Sequence, residues 1–285
     1  MSELGRRLMV SLIGAPIVLA IIWIGGAALA TLASVLSALA AWEFFRLARE
    51  SGSQPMTGIG VVSAAVIPLV VHAQFLGLVR VPLVTMSLAV LVLIALAIWV
   101  RGVNGRPLSA VGTTALGILY TGGTLSYVYA LRYYGYAIGD TAGALVVILP
   151  VLLTWASDIG GYVAGRTIGG RKLIPSISPG KTVAGAIGGV LLTVIACGVY
   201  VQWLLKPHAE LAFTPWGLIG FALCISVTAQ VGDLAESLLK RDANVKDSGK
   251  LLPGHGGALD RLDSLFFVLP VAYALYGWLL IPAPR

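Results

Sequence analysis

The chain has 285 residues, of which 58% are hydrophobic and only 11% are charged, and its mean hydropathy is +0.93. Soluble domains carry about 25% charged residues, so a water-soluble domain, a disordered chain and a nucleic-acid-binding protein are excluded, and an all-α integral membrane protein is predicted. The net charge of +7 is expected from Lys and Arg in loops on the inner side of a membrane. Cys197 and Cys224 lie inside apolar runs and predict neither disulfides nor a cysteine-rich metal site.

Nine apolar windows are long enough to cross, as helices, a hydrocarbon core about 30 Å thick. Five of them form a predicted N-terminal transmembrane region, 1–135, and four belong to a predicted C-terminal catalytic region, 136–285. The fifth window is the weakest because it is rich in Gly and Thr. The windows are approximately 8–25, 27–45, 58–79, 82–100, 109–131, 142–164, 183–205, 215–239 and 263–281.

The first window has some features of a signal peptide. Arg6 and Arg7 precede it, and the sequence ALA at 28–30 resembles a cleavage site. Its apolar stretch is longer than a typical signal-peptide core and continues into the second window, so an uncleaved first span is predicted.

The distribution of Lys and Arg predicts the orientation of the spans. Fifteen of the 19 lie on one side if the chain crosses nine times, and Arg80, Arg132, Lys206 and Arg285 lie on the other. Because short cytoplasmic loops retain positive charge, the N-terminus is predicted to be cytoplasmic. The longest inner loops, 165–182 and 240–262, are then the places where soluble chemistry is expected.

The eighth window carries a polar stripe on one helix face, formed by Ser226, Gln230, Asp233, Ser237 and Lys240. Ser and Gln side chains in membrane helices commonly form hydrogen bonds with neighbouring helices, which is the role expected for the first two. A charge inside the bilayer costs roughly 2.5 to 3.5 kcal/mol on insertion scales, so the aspartate is predicted to be functional.

Carboxylates from several helices are predicted to lie at one depth. Asp158 and Asp233 lie about 16 and 18 residues from the outer ends of their spans, roughly 24 and 27 Å at 1.5 Å per residue. Asp260 and Asp263 are i, i+3 neighbours at the start of the ninth span, and Lys181 directly precedes the seventh. The sequence thus predicts a group of carboxylates and cations at the inner membrane interface.

Clustered carboxylates without His or Cys partners suit a hard cation, so Mg²⁺ is the predicted cofactor. The glycine-rich turn PGHGG at 253–257 can present backbone N–H groups to phosphates. His255 within it is more simply a hydrogen-bonding or exposed loop residue than a base. The sequence GKT at 180–182 is not a P-loop, because Pro175 occupies the position of the required first glycine.

Two blocks of sequence resemble the phosphatidate cytidylyltransferases, also called CDP-diacylglycerol synthases. The longer block comprises SLLKR at 237–241, KD at 246–247, PGHGG at 253–257 and DRLD at 260–263. The second comprises SD at 157–158 and SPGKT at 178–182, and GDLAES at 232–237 completes the C-terminal half. The resemblance covers roughly 150–265, and spans one to five are similar only in being hydrophobic.

This resemblance implies a dimeric, Mg²⁺-dependent membrane enzyme that joins CTP to phosphatidic acid, giving CDP-diacylglycerol and pyrophosphate for phospholipid synthesis. It implies a plasma-membrane location if the source is bacterial, with the active site facing the cytoplasm. The family often has a Glu shortly after the Lys-Thr pair, where this chain has Ala184, so no role of that Glu is carried over. By position, Asp233 and Asp260 are implied metal ligands, with Asp263 next.

The resemblance also implies catalytic and substrate-binding residues. The implied catalytic residues are Asp233, Asp260, Lys240 and Arg261, the last two as phosphate contacts. The implied substrate-binding residues are Asp158, Ser178, Lys181, Ser237, Arg241, Lys246, Asp247, His255, Gly256 and Gly257.

Two other functions are compatible with part of this pattern. In an ion-coupled transporter, Asp158 and Asp233 would be intramembrane relay sites, but transporter carboxylates usually lie near the midplane rather than close to the inner edge. Another CTP-using membrane enzyme, such as a polyprenol or phytol kinase, would yield a simple phospholipid in place of a CDP-lipid.

Overall fold

The computed structural model describes residues 3–135, 137–249 and 256–283, with side chains described from residue 14 onward. In this part of the chain, the backbone forms α-helices joined by short connections, two π-helical turns and two small antiparallel ladders. The helices are α1 (Glu3–Ile24), α2 (Gly26–Glu50), α3 (Thr57–Phe75), α4 (Leu83–Val100), α5 (Pro107–Ile118), α6 (Tyr127–Arg132), α7 (Asp140–Thr167), α8 (Val183–Tyr200), α9 (Lys206–Ala209), α10 (Pro215–Asp242) and α11 (Leu259–Leu279).

Among the described residues, seven helical segments are long and apolar enough to cross a membrane. They are α2, α3, α4, α7, α8 together with its continuation to Ala209, α10 and α11. The described apolar part of α1, Gly14–Ile24, is shorter. The protein is therefore a mostly helical membrane protein, as its composition predicted.

The fifth predicted span is not one regular helix. Helix α5 is followed by a π-helical turn, Leu119–Gly123, and the separate short helix α6. Three hydroxyls in this stretch donate back to carbonyls four residues earlier: Thr121, Thr124 and Ser126. Such bonds and paired glycines loosen a helix, which explains the break inside the apolar window 109–131.

The chain divides into two compact units, each built from separate stretches. Unit 1 comprises Met1–Ala15, Gly26–Tyr129 and Leu239–Leu262, and unit 2 comprises Pro16–Gly25, Ala130–Leu238 and Asp263–Arg285. The predicted regions 1–135 and 136–285 were defined by function, and that division stays a prediction.

In unit 1, α2 packs along α3, and α5 with its π-helical turn packs on both. The ring of Phe45 occupies space left by Gly60 and Gly117, where a Cβ would collide with it. The backbone at Gly122 likewise approaches the carbonyl of Ala64 too closely for a side chain. Glycines thus let these helices approach at backbone distance, as small residues do in membrane helix pairs.

In unit 2, α7 and α8 pack against each other along an extensive helix pair. Gly160 faces Gly188, and Gly161 faces Gly185, so that each backbone lies close to the other. In the same unit, the rings of Phe221 in α10 and Tyr276 in α11 stack at 5.0 Å. The hydroxyl of Tyr276 donates to the carbonyl of Val146 at 2.8 Å, which joins α11 to α7.

Two short ladders were not predicted. Strands β1 (Lys172–Ile174) and β2 (Ser178–Thr182) form a hairpin in the predicted loop 165–182, and β2 leads directly into α8. Strand β3 (Leu211–Phe213) pairs antiparallel with β4 (Leu280–Pro282). Segments this short have no measurable hydrophobic alternation, so their pattern predicted loops.

Candidate functional site

The first group of predicted residues is the Asp233 cluster, formed by Lys181, Gln230, Asp233 and Ser237 in unit 2. Lys181 Nζ lies 2.8 Å from Asp233 Oδ2 and 3.5 Å from the Gln230 carbonyl oxygen. Ser237 Oγ donates weakly to Asp233 Oδ1 at 3.4 Å. The Lys181 and Asp233 side chains remain 25% and 35% exposed, so both ends of this ion pair are accessible.

Local structure fixes the position of Lys181. It is the penultimate residue of β2, whose partner strand is β1. Thr182 then begins α8 as its N-cap, with its Oγ accepting from Gly185 N at 3.0 Å. Thr is a favoured N-cap because its hydroxyl satisfies a free amide of the first turn. The lysine is therefore held between a hairpin and a capped helix.

The polar residues deeper in α10 join helices, as predicted. Ser226 Oγ lies 2.8 Å from Ser157 Oγ on α7, and Gln230 Nε2 donates to the Ala186 carbonyl on α8 at 3.2 Å. Asp158 follows Ser157 on α7 and its side chain is exposed. These bonds hold α7, α8 and α10 together below the Asp233 cluster.

Asp263 lies on α11 where this helix approaches α10. A Cβ on Gly232 would lie 2.9 Å from the Asp263 carbonyl oxygen, so glycine permits the close packing. Asp263 Oδ1 accepts from Ser264 N at 2.6 Å, and the side chain is half-buried.

The second group is the Asp260 cluster, formed in unit 1 by Glu43, Lys240, Ser248, Gly257 and Asp260. Lys240 Nζ lies 2.8 Å from Asp260 Oδ1. The other oxygen, Oδ2, accepts from Ser248 N at 3.0 Å, Ser248 Oγ at 2.9 Å and Gly257 N at 2.8 Å. Asp260 is only 6% exposed and lies in the first turn of α11, as its spacing with Asp263 predicted.

Glu43 in α2 is a member of this cluster that the sequence analysis missed. It is 1% exposed and accepts from Ser248 Oγ at 3.0 Å, Ala258 N at 3.1 Å and Leu259 N at 2.8 Å. The window 27–45 was read as uniformly apolar although it contains this ionisable residue. The rule that marked Asp233, that charge inside a membrane span indicates function, would have identified it.

The other predicted residues lie around these clusters. Gly256 has φ +81°, and a Cβ there would lie 2.5 Å from Asp260 Oδ2. The Gly257 amide is directed at Asp260, so its contact with a phosphate stays a prediction. His255 lies outside the described residues. Ser178 is half-buried in β2, and the exposed side chains are those of Arg241, Lys246, Asp247 and Arg261.

An apolar groove of about 330 Å³ runs between α8 and α10 in unit 2. Its walls include Ile187, Val190 and Leu191 from α8 and Val227 and Val231 from α10, and Gln230 also lines it. Because the Gln230 carbonyl contacts Lys181, the groove lies next to the Asp233 cluster.

The family of the chain follows from comparison with known proteins. The model of the cytidylyltransferase family matches residues 5–279. The chain belongs to this cytidylyltransferase family. The resemblance found in the two sequence blocks is confirmed, and the match extends it to the N-terminal helices, for which the sequence had shown only hydrophobic character.

Three curated relatives of this chain are named phosphatidate cytidylyltransferase. The phosphatidate cytidylyltransferase of Bacillus subtilis (strain 168) is 37% identical over 66% of this chain, and the alignment spans 65% of that protein. The phosphatidate cytidylyltransferase of Brucella suis biovar 1 (strain 1330) is 35% identical over 97% of this chain and 94% of its own length. That of Staphylococcus haemolyticus (strain JCSC1435) is 31% identical over 93% and 96%.

Asp233 and Asp263 in unit 2 and Asp260 in unit 1 offer carboxylate oxygens, the ligand type that suits a hard cation such as Mg²⁺. Among the described residues, no three His, Cys, Asp or Glu side chains lie close enough to enclose an ion. Mg²⁺ commonly takes one or two carboxylates and completes its shell with water and substrate phosphates. In this structure Asp233 and Asp260 each pair with a lysine.

Proposed function

We propose that this chain is a phosphatidate cytidylyltransferase. A phosphate oxygen of phosphatidic acid attacks the α-phosphorus of CTP, and a new P–O bond forms. The bond from the α-phosphorus to the bridging oxygen breaks, and pyrophosphate leaves with the electron pair. The products are CDP-diacylglycerol and pyrophosphate. The observation that carries the proposal is the family match over nearly the whole chain together with the lysine–aspartate pair in each cluster.

The chemistry requires little proton transfer. The second pKa of a phosphate monoester is about 6, so the attacking phosphate is largely ionised at neutral pH and no general base is needed. The obstacle is the repulsion between two polyanions. Cationic side chains that face the transferred charge lower that barrier.

Each cluster supplies cations and carboxylates suited to this task. Lys181 and Lys240 are each paired with an aspartate, Asp233 and Asp260, and an ammonium group can share its three donors between carboxylate and phosphate oxygens. Arg241, Lys246 and Arg261 carry exposed positive charge near Lys240 and Asp260 in the sequence. Ser178, Ser237, Asp158, Asp247 and the turn at 255–257 are proposed as further substrate contacts.

Asp233, Asp260 and Asp263 are the residues that would hold Mg²⁺. When bound, the ion offsets phosphate charge and orients the substrate oxygens. These three carboxylates fix the positions of the positive groups that face the phosphates, both the lysine ammonium groups and the metal ion.

The apolar groove beside Gln230 supports a lipid substrate. An acyl chain can lie along Val190, Leu191 and Val227 while the phosphate is directed toward Lys181, since the groove and the lysine share Gln230. The acyl chains then stay in the bilayer as CTP arrives from water.

The membrane arrangement is proposed from charge and from the family resemblance. We infer nine spans, with α1 and the broken α5–α6 segment as the two beyond the seven long helices. The excess of Lys and Arg in alternate loops favours a cytoplasmic N-terminus and a catalytic region at the cytoplasmic face. A homodimer and a plasma-membrane location in a bacterial host complete the proposal.

The test is formation of CDP-lipid from radiolabelled CTP and phosphatidic acid in detergent micelles, with and without Mg²⁺. Metal-dependent product that disappears in Asp260→Asn supports the proposal. Folded wild-type protein that releases neither CDP-lipid nor pyrophosphate contradicts it, and transfer of a single phosphate to the lipid would indicate a kinase.

A further inference from the structure

We propose that Glu43 is a positioning residue that fixes Asp260 for cytidylyl transfer, acting through Ser248 and the first turn of α11. The inference rests on the proposed function and deepens it by adding a residue from the N-terminal helices to the catalytic machinery. Glu43 does not touch substrate in this scheme, because its carboxylate is enclosed by protein.

The enclosure of Glu43 is built into the sequence of the loop around it. A Cβ at Gly249 or Gly257 would collide with the Glu43 carboxylate, so glycine is required on two sides. On the remaining sides, Ser248 Oγ, Ala258 N and Leu259 N donate to it at 2.8 to 3.1 Å. Two glycines and three donors thus surround one buried carboxylate.

The charge of Glu43 is matched to the start of α11. The first amides of a helix have no partners within the helix and carry partial positive charge, so a carboxylate there is stabilising. Glu43 binds the amides of Ala258 and Leu259, the two residues immediately before Asp260. A glutamine at this position would replace one acceptor oxygen with an NH₂ group. That group would face the N–H and O–H donors that now bind the carboxylate, and one buried donor would lose its acceptor.

Ser248 connects Glu43 to Asp260 directly. Its Oγ lies 3.0 Å from Glu43 Oε2 and 2.9 Å from Asp260 Oδ2. A hydroxyl has one hydrogen to donate, so the two carboxylates share it. Arg46, one turn after Glu43 on α2, donates to the Ser248 carbonyl. The same helix therefore holds Ser248 through both its side chain and its backbone.

Steady-state kinetics of purified full-length protein in detergent test the proposal. Glu43→Gln is expected to lower kcat about 10- to 100-fold, the usual cost of removing a residue that orients a catalytic group. The KM for CTP is expected to change less than about threefold, because the substrate contacts themselves remain. Glu43→Asp, which keeps the charge, is expected to recover part of kcat. Glu210→Gln, the same change at an exposed position, is the matched control.

A double-mutant cycle separates positioning from general stability. If Glu43 acts through Ser248, adding Ser248→Ala to Glu43→Gln lowers kcat by no more than about twofold beyond the single variant. Ser248→Ala alone is the milder variant if Glu43→Gln does not fold. Independent, multiplicative losses in the cycle, or an unchanged kcat in folded Glu43→Gln, overturn the proposal.

Hydrogen exchange gives a readout that does not depend on activity. Amides in a peptide covering 256–262 are expected to exchange at least about 10-fold faster in Glu43→Gln than in wild type or Glu210→Gln. Wild-type protein that makes no CDP-lipid but shows this difference would refute the proposed function while supporting the contact of Glu43 with α11. Equal exchange in Glu43→Gln and wild type would overturn the positioning role even if the wild type is active.

Discussion

Lys181 and Asp233 form a 2.8 Å ion pair that joins the end of β2 to α10. The backbone of the lysine is held between a hairpin and a capped helix, and its ammonium contacts both Asp233 and the Gln230 carbonyl. Both side chains are partly exposed, so solvent screens their attraction more than it would in a fully buried pair. The pair therefore places an ammonium group and a carboxylate together beside the apolar groove of unit 2.

Lys181→Met is expected to lower CDP-lipid formation about 100-fold or more, because a cation aimed at transferred phosphate charge is lost. The comparison is with Lys172→Met in the neighbouring strand β1, whose side chain is exposed. Both variants are assayed with radiolabelled CTP at matched protein concentrations. Similar losses in the two variants would show that only net positive charge in the hairpin matters.

Asp233→Asn and Asp260→Asn are each expected to remove most activity, at least about 100-fold, while the protein stays folded. Each change removes a charge at nearly constant volume. Activity is measured across Mg²⁺ concentrations, folding is checked by thermal melting, and Asp242→Asn at the exposed end of α10 serves as control. Near-normal turnover with an unchanged Mg²⁺ requirement in either variant would refute its assignment.

Gly188→Ala is expected to destabilise unit 2 by about 1 to 3 kcal/mol through overpacking. Its new methyl would collide with Ala164 and lie 2.9 Å from the Gly160 carbonyl. Gly198→Ala, further along α8 with open space around the position, is expected to be neutral or slightly stabilising. Thermal unfolding of both variants in the same detergent gives the comparison, and equal melting temperatures would rule out a tight α7–α8 contact.

Arg132→Met is expected to destabilise the protein by about 2 to 4 kcal/mol, because buried carbonyls lose their donors. Arg132 is 1% exposed and donates to the Ile22 and Trp23 carbonyls at the end of α1, both at 3.0 Å. Asp140, its ion-pair partner, is 85% exposed, so Asp140→Asn is expected to cost less than about 1 kcal/mol. The free energy of unfolding of both variants is measured by chemical denaturation. An equal loss in the two variants would mean that the ion pair, and not the hydrogen bonds to the carbonyls, stabilises the protein.

Sequence patterns predicted those parts of the molecule that depend on local spacing. The apolar windows gave the long helices, and the i, i+3 spacing placed Asp260 and Asp263 on one helix. The four-residue rhythm of α10 identified Ser226 and Gln230 as residues that join helices. In each case the relevant residues lie within a few turns of one another, where helix geometry alone decides which side chains share a face.

Features that depend on distant segments were not predicted. Glu43 meets Ser248 and Leu259 across more than half the chain, and no local pattern encodes that meeting. A single carboxylate also barely alters the mean hydropathy of a window, so α2 looked uniform. The break after α5 was not predicted for a different reason. Hydroxyls that bond to carbonyls of their own helix do not change the hydrophobicity of the window.

Strand β3 precedes α10, and its partner β4 follows α11. During synthesis, Leu211 to Phe213 therefore cannot form this ladder until both helices have been made. The residues of β3 are all buried in the finished protein. The ladder therefore forms late in biogenesis. A chain that stops within α11 would leave the apolar strand β3 without its partner strand and accessible to chaperones and proteases.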